Sequence, residues 1–193
     1  HRIGNHTVNH EQLPLLTPLE AREEVEAASN LIEEVTGQRP TLIRPPGGSR
    51  SPRVDAMLAE MGLTQVLWNI GSGDFQVRDA DEVTHIFRRV LARREREAGE
   101  RGGVVLMHDT HPWSIAALPR IVDHLRQRNC ELLEEGEELY DIVDDISLFY
   151  SPREGDPGAL AAPAVMPEAR HQERQAALRT ETALRCSAVA QSD

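Results

Sequence analysis

The feature that most constrains this fold is an alternation of helical segments with short apolar runs that end at glycine or proline. The pattern predicts helices at 18–36, 52–61, 82–101 and 114–128, and strands at 40–44, 64–70, 104–108 and 130–133. Strands that alternate with helices are typical of a parallel α/β sheet or barrel. The sequence therefore predicts an α/β protein whose strands deliver their carboxyl ends to one rim.

Capping signals set the boundaries of the predicted helices. Thr17 is followed three residues later by Glu20, which is the pattern of a capping box, and Gly37 ends that first helix. Ser51 is the predicted cap of the second helix and Asp81 that of the third. Helix boundaries are therefore expected to follow local sequence closely.

The composition changes at residue 151. The stretch 155–164 is low in complexity, and residues 168–185 form at most a polar helix with almost no apolar face. We therefore predict one domain over 1–150 and a disordered or loosely held tail over 151–193.

Charge and composition exclude several classes of function. The chain has 193 residues and a formal net charge of −11, which argues against a nucleic-acid partner. All 21 basic residues are arginine, so Schiff-base chemistry through lysine is excluded. Cys130 and Cys186 are too few for a disulfide framework or a cysteine-based zinc site. No apolar run approaches the length of a transmembrane segment.

Two histidines near the start of the chain are candidate metal ligands. His6 and His10 are four residues apart, so a helix would present both imidazoles on one face. Imidazole is the commonest metal-binding side chain, and such a pair is a plausible half of a metal site. The simpler alternative is an ordinary helix surface.

Three further polar residues follow predicted strands. Arg44, Asp74 and His108 each lie at or just past a strand's carboxyl end, where α/β barrels carry their chemistry. A metal, an imidazole and a carboxylate suffice for metal-assisted hydrolysis. Each residue also has a structural interpretation, as an ion pair, a turn cap or a core histidine. His111 and Trp113 could line a cleft beside His108.

Four short strings resemble the motifs of the NodB-like polysaccharide deacetylases, carbohydrate esterase family four. They occur in the family's order within about residues 1–135: His6-Thr7-Val8-Asn9-His10, Arg44-Pro45-Pro46-Gly47-Gly48, Asp74-Phe75 and Leu106-Met107-His108. Any one string is weak, but the ordered set is specific. The resemblance implies a distorted (β/α) barrel whose N-terminal strand or strands are missing from this chain.

The resemblance also implies a cofactor and a first set of roles. A divalent metal is expected, most simply Zn²⁺, with Co²⁺, Ni²⁺ or Mn²⁺ as alternatives, and His6 and His10 would be two of its three protein ligands. His108 would donate a proton to the leaving amine, and Asp74 would orient it. The backbone N–H of Gly47 would help to hold the oxyanion.

The remaining implied roles concern the substrate and the base. Leu106 would contact the acetyl methyl group, Phe75 would form an apolar wall of the groove, and Arg44 would orient the catalytic base. The family has an aromatic residue where this chain has Gly47, and a tryptophan where it has Phe75. These departures leave the preferred substrate open.

One family motif has no counterpart at its usual place. The Thr-Phe-Asp-Asp motif, which supplies the base and the third ligand, is expected upstream of His1. Asp144–Asp145 could replace it only in a permuted chain, which the family order disfavours. We therefore expect weak or no catalysis from this chain alone.

The leading hypothesis is a metal-dependent hydrolase that removes acetyl groups, N-acetyl rather than O-acetyl, from a polysaccharide such as peptidoglycan or a chitin-like glycan. The family resemblance suggests a secreted or cell-envelope protein. One alternative is a catalytically inactive barrel that binds a glycan or a protein. Another is a related hydrolase of small cyclic amides.

Overall fold

The computed structural model of the chain describes residues 2–99, 101–142, 150–152, 161–163 and 167–190. The chain divides into two compact units, which we call the first unit (His1–Leu67 with Val143–Val165) and the second unit (Trp68–Ile142 with Met166–Asp193). The acidic pair Asp144–Asp145 and most of the low-complexity stretch 155–164 lie outside the described residues.

The described residues form helices and short strands in alternation. In chain order they are α1 (Pro18–Thr36), β1 (Leu42–Ile43), α2 (Pro52–Glu60), β2 (Thr64–Gln65), β3 (Ile70–Gly71), α3 (Ala80–Ala98), β4 (Val105–Leu106), α4 (Pro112–Glu135), β5 (Tyr150–Pro152), β6 (Ala161–Pro163) and α5 (Glu168–Ala190). Single 3₁₀ turns lie at Leu13–Leu15 and Pro46–Gly48.

The first unit is built on parallel pairing around β1. Strand β1 pairs in parallel with β2, and Asn5 forms a parallel bridge to Ile43 of β1. Helices α1 and α2 cover these strands with a buried apolar cluster: Leu13, Ala21, Val25, Ile43, Val54, Met57, Leu58 and Leu63. The predicted capping box of α1 and the end of that helix at Gly37 are confirmed. Strands β5 and β6 form a separate antiparallel pair.

The second unit repeats the parallel arrangement. Strand β3 pairs in parallel with β4, with Ile70 opposite Val105 and Gly71 opposite Leu106. Helices α3 and α4 supply most of its buried cluster: Ile70, Val83, Phe87, Leu91, Ala117, Ile121, Leu132, Leu139 and Tyr140. The side chain of Asp79 caps α3 by accepting the N–H of Glu82, so the prediction of Asp81 as the cap is wrong by two residues.

Two predicted strands are wrong. The predicted strand 64–70 is two short strands, because Thr64–Gln65 pair with β1 whereas Ile70–Gly71 pair with β4. The predicted strand 130–133 lies inside α4. Leu132 is buried at helical spacing from Asn129, whose side-chain amide exchanges two hydrogen bonds with the backbone of Tyr140, at 2.7 and 2.8 Å. The apolar run therefore continues the buried face of a helix.

The prediction of a disordered or loosely held tail is wrong for residues 168–190, which form α5. A disulfide joins Cys130 of α4 to Cys186 of α5, with their Cα atoms 6.0 Å apart. Arg174 forms two hydrogen bonds with the carboxylate of Asp141, at 2.6 and 2.9 Å. These contacts are distant in sequence, which is why the polar composition of α5 did not reveal them.

The α/β class and the parallel pairing are confirmed. The strands in the described part of the chain form two-stranded sheets and no closed barrel. No helix within that part is both long enough and apolar enough to cross a membrane.

Candidate active site

The first group of predicted site residues lies in the first unit, where His6 and His10 stand in the loop after Asn5. Residues 6–10 form a loop and not the helix that would have placed both rings on one face. Thr7 and His10 have φ of +64° and +61°, a left-handed conformation that non-glycine residues rarely adopt. The loop nevertheless brings the two rings together, with centroids 4.9 Å apart and planes at 79°.

Asn5 holds this loop against α1. Its side chain is buried, and its amide nitrogen donates to the carbonyl of Val25 and to the hydroxyl of Ser29, both at 2.8 Å. Its amide oxygen accepts the backbone N–H of Thr7 at 2.8 Å, as in an Asx turn. A left-handed residue costs about 1–2 kcal/mol, so this bond offsets part of the strain at Thr7.

A second asparagine ties the far end of the loop to the same helix. The backbone N–H and the side-chain amide of Asn9 both donate to the carboxylate of Glu24, at 2.9 and 2.6 Å. Partial burial raises the pKa of Glu24, but the hydrogen bonds from Asn9 and from its loop neighbours Val8 and Thr7 together hold this pKa below its ordinary value. The loop that carries both histidines is therefore fastened to α1 at two points.

The orientation of His6 suits a metal ligand. Its Nδ1 lies within hydrogen-bond distance of the backbone carbonyl of Arg44. A carbonyl only accepts, so Nδ1 carries the hydrogen and Nε2 keeps its lone pair, the arrangement in which a metal-bound histidine is usually oriented. Among the described residues, no group of three or more His, Cys, Asp and Glu side chains could hold a metal ion. In the described part of the site, the candidate metal ligands are therefore the two imidazole rings of His6 and His10.

Arg44 and Gly47 follow β1, as the sequence predicts. The backbone of Arg44 donates to the carbonyl of Asn5 at 2.9 Å, so this residue also fixes the start of the histidine loop. Gly47 has a φ of +62°. This conformation favours glycine over residues that carry a side chain.

The second group lies in the second unit, where Asp74 and His108 follow β3 and β4. The two strands are paired, so their ends bring the side chains into contact. His108 Nδ1 lies 3.0 Å from Asp74 Oδ1, and the backbone N–H of His108 donates to Asp74 Oδ2 at 2.5 Å. The Asp74 carboxylate therefore contacts His108 at both its ring and its backbone N–H.

The start of α4 supplies two further contacts to Asp74. The hydroxyl of Ser114 donates to Oδ2 at 2.7 Å, and the indole N–H of Trp113 donates to the backbone carbonyl at 2.7 Å. The carboxylate is fully buried. Burial raises the pKa of Asp74, but the hydrogen bonds from Ser114 and His108 together hold it below its ordinary value. Asp74 is therefore a carboxylate at neutral pH.

An aromatic row and an apolar groove surround His108. The rings of Phe75 and His111 lie 6.1 and 5.7 Å from the His108 ring, and His111 stacks on Trp113 at 4.8 Å. Phe75 is 59% exposed, whereas Leu106 is buried. A groove of about 400 Å³ is lined by Val105, Met107, His108, Asp109, Ser114, Ile115, Leu118, Ile121, Val122, Leu125 and Ile142.

The structure thus brings predicted residues together within each unit. His6 contacts His10 and the backbone of Arg44 in the first unit. Asp74 contacts His108 in the second unit. Four supporting residues were missed by sequence reasoning as parts of the site: Asn5, Asn9, Glu24 and Ser114. Their partners lie 15 to 40 residues away in the chain, so no local pattern marks them.

Comparison with known sequences connects these groups to one family. The polysaccharide deacetylase family model matches residues 1–66. The chain is 30% identical over 140 residues to the peptidoglycan-N-acetylglucosamine deacetylase PgdA of Listeria monocytogenes, a match that covers 72% of this chain. It covers only 28% of that relative, so the chain spans little more than a quarter of the relative's length.

Solved structures give a consistent likeness. A family 4 carbohydrate esterase from Streptomyces lividans, in complex with acetate, matches with a TM-score of 0.55 and 28% identity, over 66% of this chain and 62% of that chain. A family 4 pseudoenzyme from Bacillus anthracis matches with a TM-score of 0.57 and 22% identity, over 65% and 41% of the two chains. The second match is a likeness of fold alone.

Proposed function

The chain belongs to the NodB-like polysaccharide deacetylases, and from this we propose that it serves a metal-dependent hydrolase that removes acetyl groups from a glycan. The reaction is hydrolysis of an acetamide: the C–N bond breaks, the oxygen of water joins the acetyl carbon, and the amine nitrogen takes a proton. Acetate and a free amino sugar result. The contact between buried Asp74 and half-buried His108 is the observation that carries this proposal.

N-acetyl groups are the favoured substrate. The amine that leaves an acetamide must be protonated, and the imidazole held by Asp74 is suited to supply that proton. The relative from Listeria monocytogenes is named for peptidoglycan N-acetylglucosamine. We therefore favour an N-acetylglucosamine polymer, of the peptidoglycan or chitin type.

His6 and His10 are the proposed protein ligands of the metal. The close approach of their rings, and the contact that holds His6 Nδ1 at the Arg44 carbonyl, support a divalent cation that prefers nitrogen donors. Zn²⁺ suits imidazole well, and Co²⁺, Ni²⁺ and Mn²⁺ are alternatives. When bound, such an ion polarises the acetamide carbonyl and lowers the pKa of the attacking water.

His108 is the proposed general acid. Asp74 accepts the Nδ1–H, so the proton available to the leaving nitrogen is the one on Nε2. Asp74 remains ionised because the hydrogen bonds to its oxygens hold its pKa low. The aspartate thus orients the imidazole and stabilises the charge that it carries before transfer.

The other predicted residues act on the substrate in this proposal. The backbone N–H of Gly47 helps to hold the oxyanion, and Leu106 contacts the acetyl methyl group. Phe75 offers an exposed apolar wall to a sugar ring. Arg44 orients the catalytic base.

The disulfide supports a secreted or cell-envelope location. Disulfides form and persist in oxidising compartments and are rare in the cytosol. The Cys130–Cys186 bond joins two helices of the second unit. An oxidising environment also agrees with a glycan substrate outside the cell.

Acetate release from N-acetylglucosamine oligomers tests the proposal. In the protein that carries this chain, His108→Ala should lower kcat by about a hundredfold or more, since general acid catalysis contributes about that factor. His85→Ala, on the exposed surface of α3, is the matched control and should leave kcat unchanged. Unchanged release in His108→Ala would contradict the proposal.

A catalytically inactive glycan-binding module is the second candidate. It is favoured by one observation, that the described residues present two imidazoles and no third metal-binding side chain beside them. The same experiment separates the candidates. An inactive module binds the oligomers and releases no acetate at any metal concentration.

A further inference from the structure

Ser114 stands at the start of α4 with its hydroxyl against the carboxylate of Asp74. The side chain is buried, and Oγ donates to Asp74 Oδ2 at 2.7 Å. The same oxygen accepts the backbone N–H of His108. Ser114 belongs to none of the four family-like motifs, and its contact with Asp74 spans 40 residues of sequence.

The two carboxylate oxygens of Asp74 have different hydrogen-bond partners. Oδ2 receives the Ser114 hydroxyl and the His108 main chain, which leaves Oδ1 to face the imidazole. A carboxylate turns about its last single bond, a soft torsion that packing must fix. Removal of the Ser114 hydroxyl would leave Oδ2 with one donor, so the carboxylate would be held less firmly in this orientation.

The orientation of the carboxylate decides which ring nitrogen of neutral His108 carries the hydrogen. With Oδ1 at Nδ1, the hydrogen is held on Nδ1 and Nε2 is left to exchange the catalytic proton. A carboxylate that turns freely would hold this tautomer less firmly. In other histidine–aspartate pairs, a histidine that adopts the wrong tautomer lowers kcat.

We propose that Ser114 is a positioning residue for the Asp74–His108 pair, fixing the carboxylate so that Oδ1 holds the Nδ1–H of His108. This inference rests on the proposed function, in which His108 is the general acid. Trp113 assists from the adjacent position, because its indole N–H fixes the backbone carbonyl of Asp74 at 2.7 Å. The first turn of α4 therefore fixes the position of Asp74 and, through it, the orientation of His108.

Nitrogen NMR of the imidazole tests this inference without catalysis. In ¹⁵N-histidine-labelled protein, at a pH above which the His108 signals no longer change, His108 should show the Nδ1–H tautomer, and the signals are assigned by their loss in His108→Ala. Ser114→Ala should shift His108 towards the Nε2–H tautomer. Ser114→Thr keeps the hydroxyl and should restore the wild-type spectrum.

Kinetics give the second readout. In the active protein, Ser114→Ala should lower kcat by about tenfold with KM unchanged, which corresponds to one weakened hydrogen bond to a charged group. If Ser114→Ala lowers thermal stability but keeps both the Nδ1–H tautomer and kcat, the side chain is merely structural and the inference is overturned. If His108→Ala leaves acetate release intact, the proposed function fails, while the tautomer measurement still reports on Ser114.

Discussion

Asn5 shows how one buried side chain sets the geometry of the histidine loop. Its amide satisfies groups on α1 that lie 20 and 24 residues away, and its oxygen stabilises Thr7 in a left-handed conformation. Loss of the side-chain amide would remove both of these buried hydrogen bonds and the one that stabilises the loop. The position of His6 and His10 therefore depends on Asn5, a residue with no proposed contact to the substrate.

Asn5→Ala should lower the free energy of unfolding by about 1–3 kcal/mol, because a buried side chain loses its hydrogen bonds to Val25, Ser29 and Thr7. Urea denaturation followed by circular dichroism measures the change. Asn9→Ala is the matched control: it removes one hydrogen bond of an exposed clamp and should cost less than about 1 kcal/mol. Equal costs for the two variants would contradict this assignment.

At the scale of residues, the sequence indicated the candidate site residues that lie in short local motifs, but not the residues whose partners are distant in the chain. The spacing of His6 and His10 predicted their pairing, but through a helix, whereas two left-handed residues in a loop bring the rings together. Asp74 and His108 were predicted from strand ends, and their contact follows from the pairing of β3 with β4. Ser114 was missed because nothing near it in sequence indicates its partner.

At the scale of elements, α5 is joined to the second unit by a disulfide and by polar contacts, and its Leu178 packs against the buried cluster. The disulfide ties it to α4, and Arg174 and Gln175 bond to residues 141 and 139. Cys130 and Cys186 are 56 residues apart, so the bond restricts a long loop of the unfolded chain.

Replacement of both cysteines by serine should lower the free energy of unfolding of the second unit by about 2–4 kcal/mol. Urea denaturation followed by tryptophan fluorescence reports on this unit, since Trp68 and Trp113 both belong to it. Reductant should destabilise the wild type by a similar amount and leave the double variant unaffected. A double variant as stable as the oxidised wild type would show that the disulfide contributes nothing.

Elements with strong local signals were predicted well, and the others depended on distant partners. The capping box and Gly37 fix α1 from nearby residues. Short apolar runs fit either a strand or a buried helix turn, and the run at 130–133 became part of α4 because its helical face meets Leu139 and Tyr140 in one core. The tail was misjudged because a disulfide partner cannot be assigned from a polar composition.

At the scale of the whole molecule, the α/β class and the family were accessible from sequence because four motifs keep their order. The chain covers part of its relatives, and each unit holds its own group of site residues. In the proposed function, His6 and His10 bind a metal and His108 donates a proton to the leaving amine. The proposed function therefore predicts that activity depends on a metal ion.

The most direct measurement is acetate release from N-acetylglucosamine oligomers by the protein that carries this chain, before and after chelation. Chelation should abolish release, and added Zn²⁺ should restore it in the wild type and in His85→Ala. His10→Ala should need at least about tenfold more Zn²⁺, since it loses one of the proposed imidazole ligands. Release that survives chelation, or full restoration of His10→Ala at the wild-type Zn²⁺ concentration, would contradict the account.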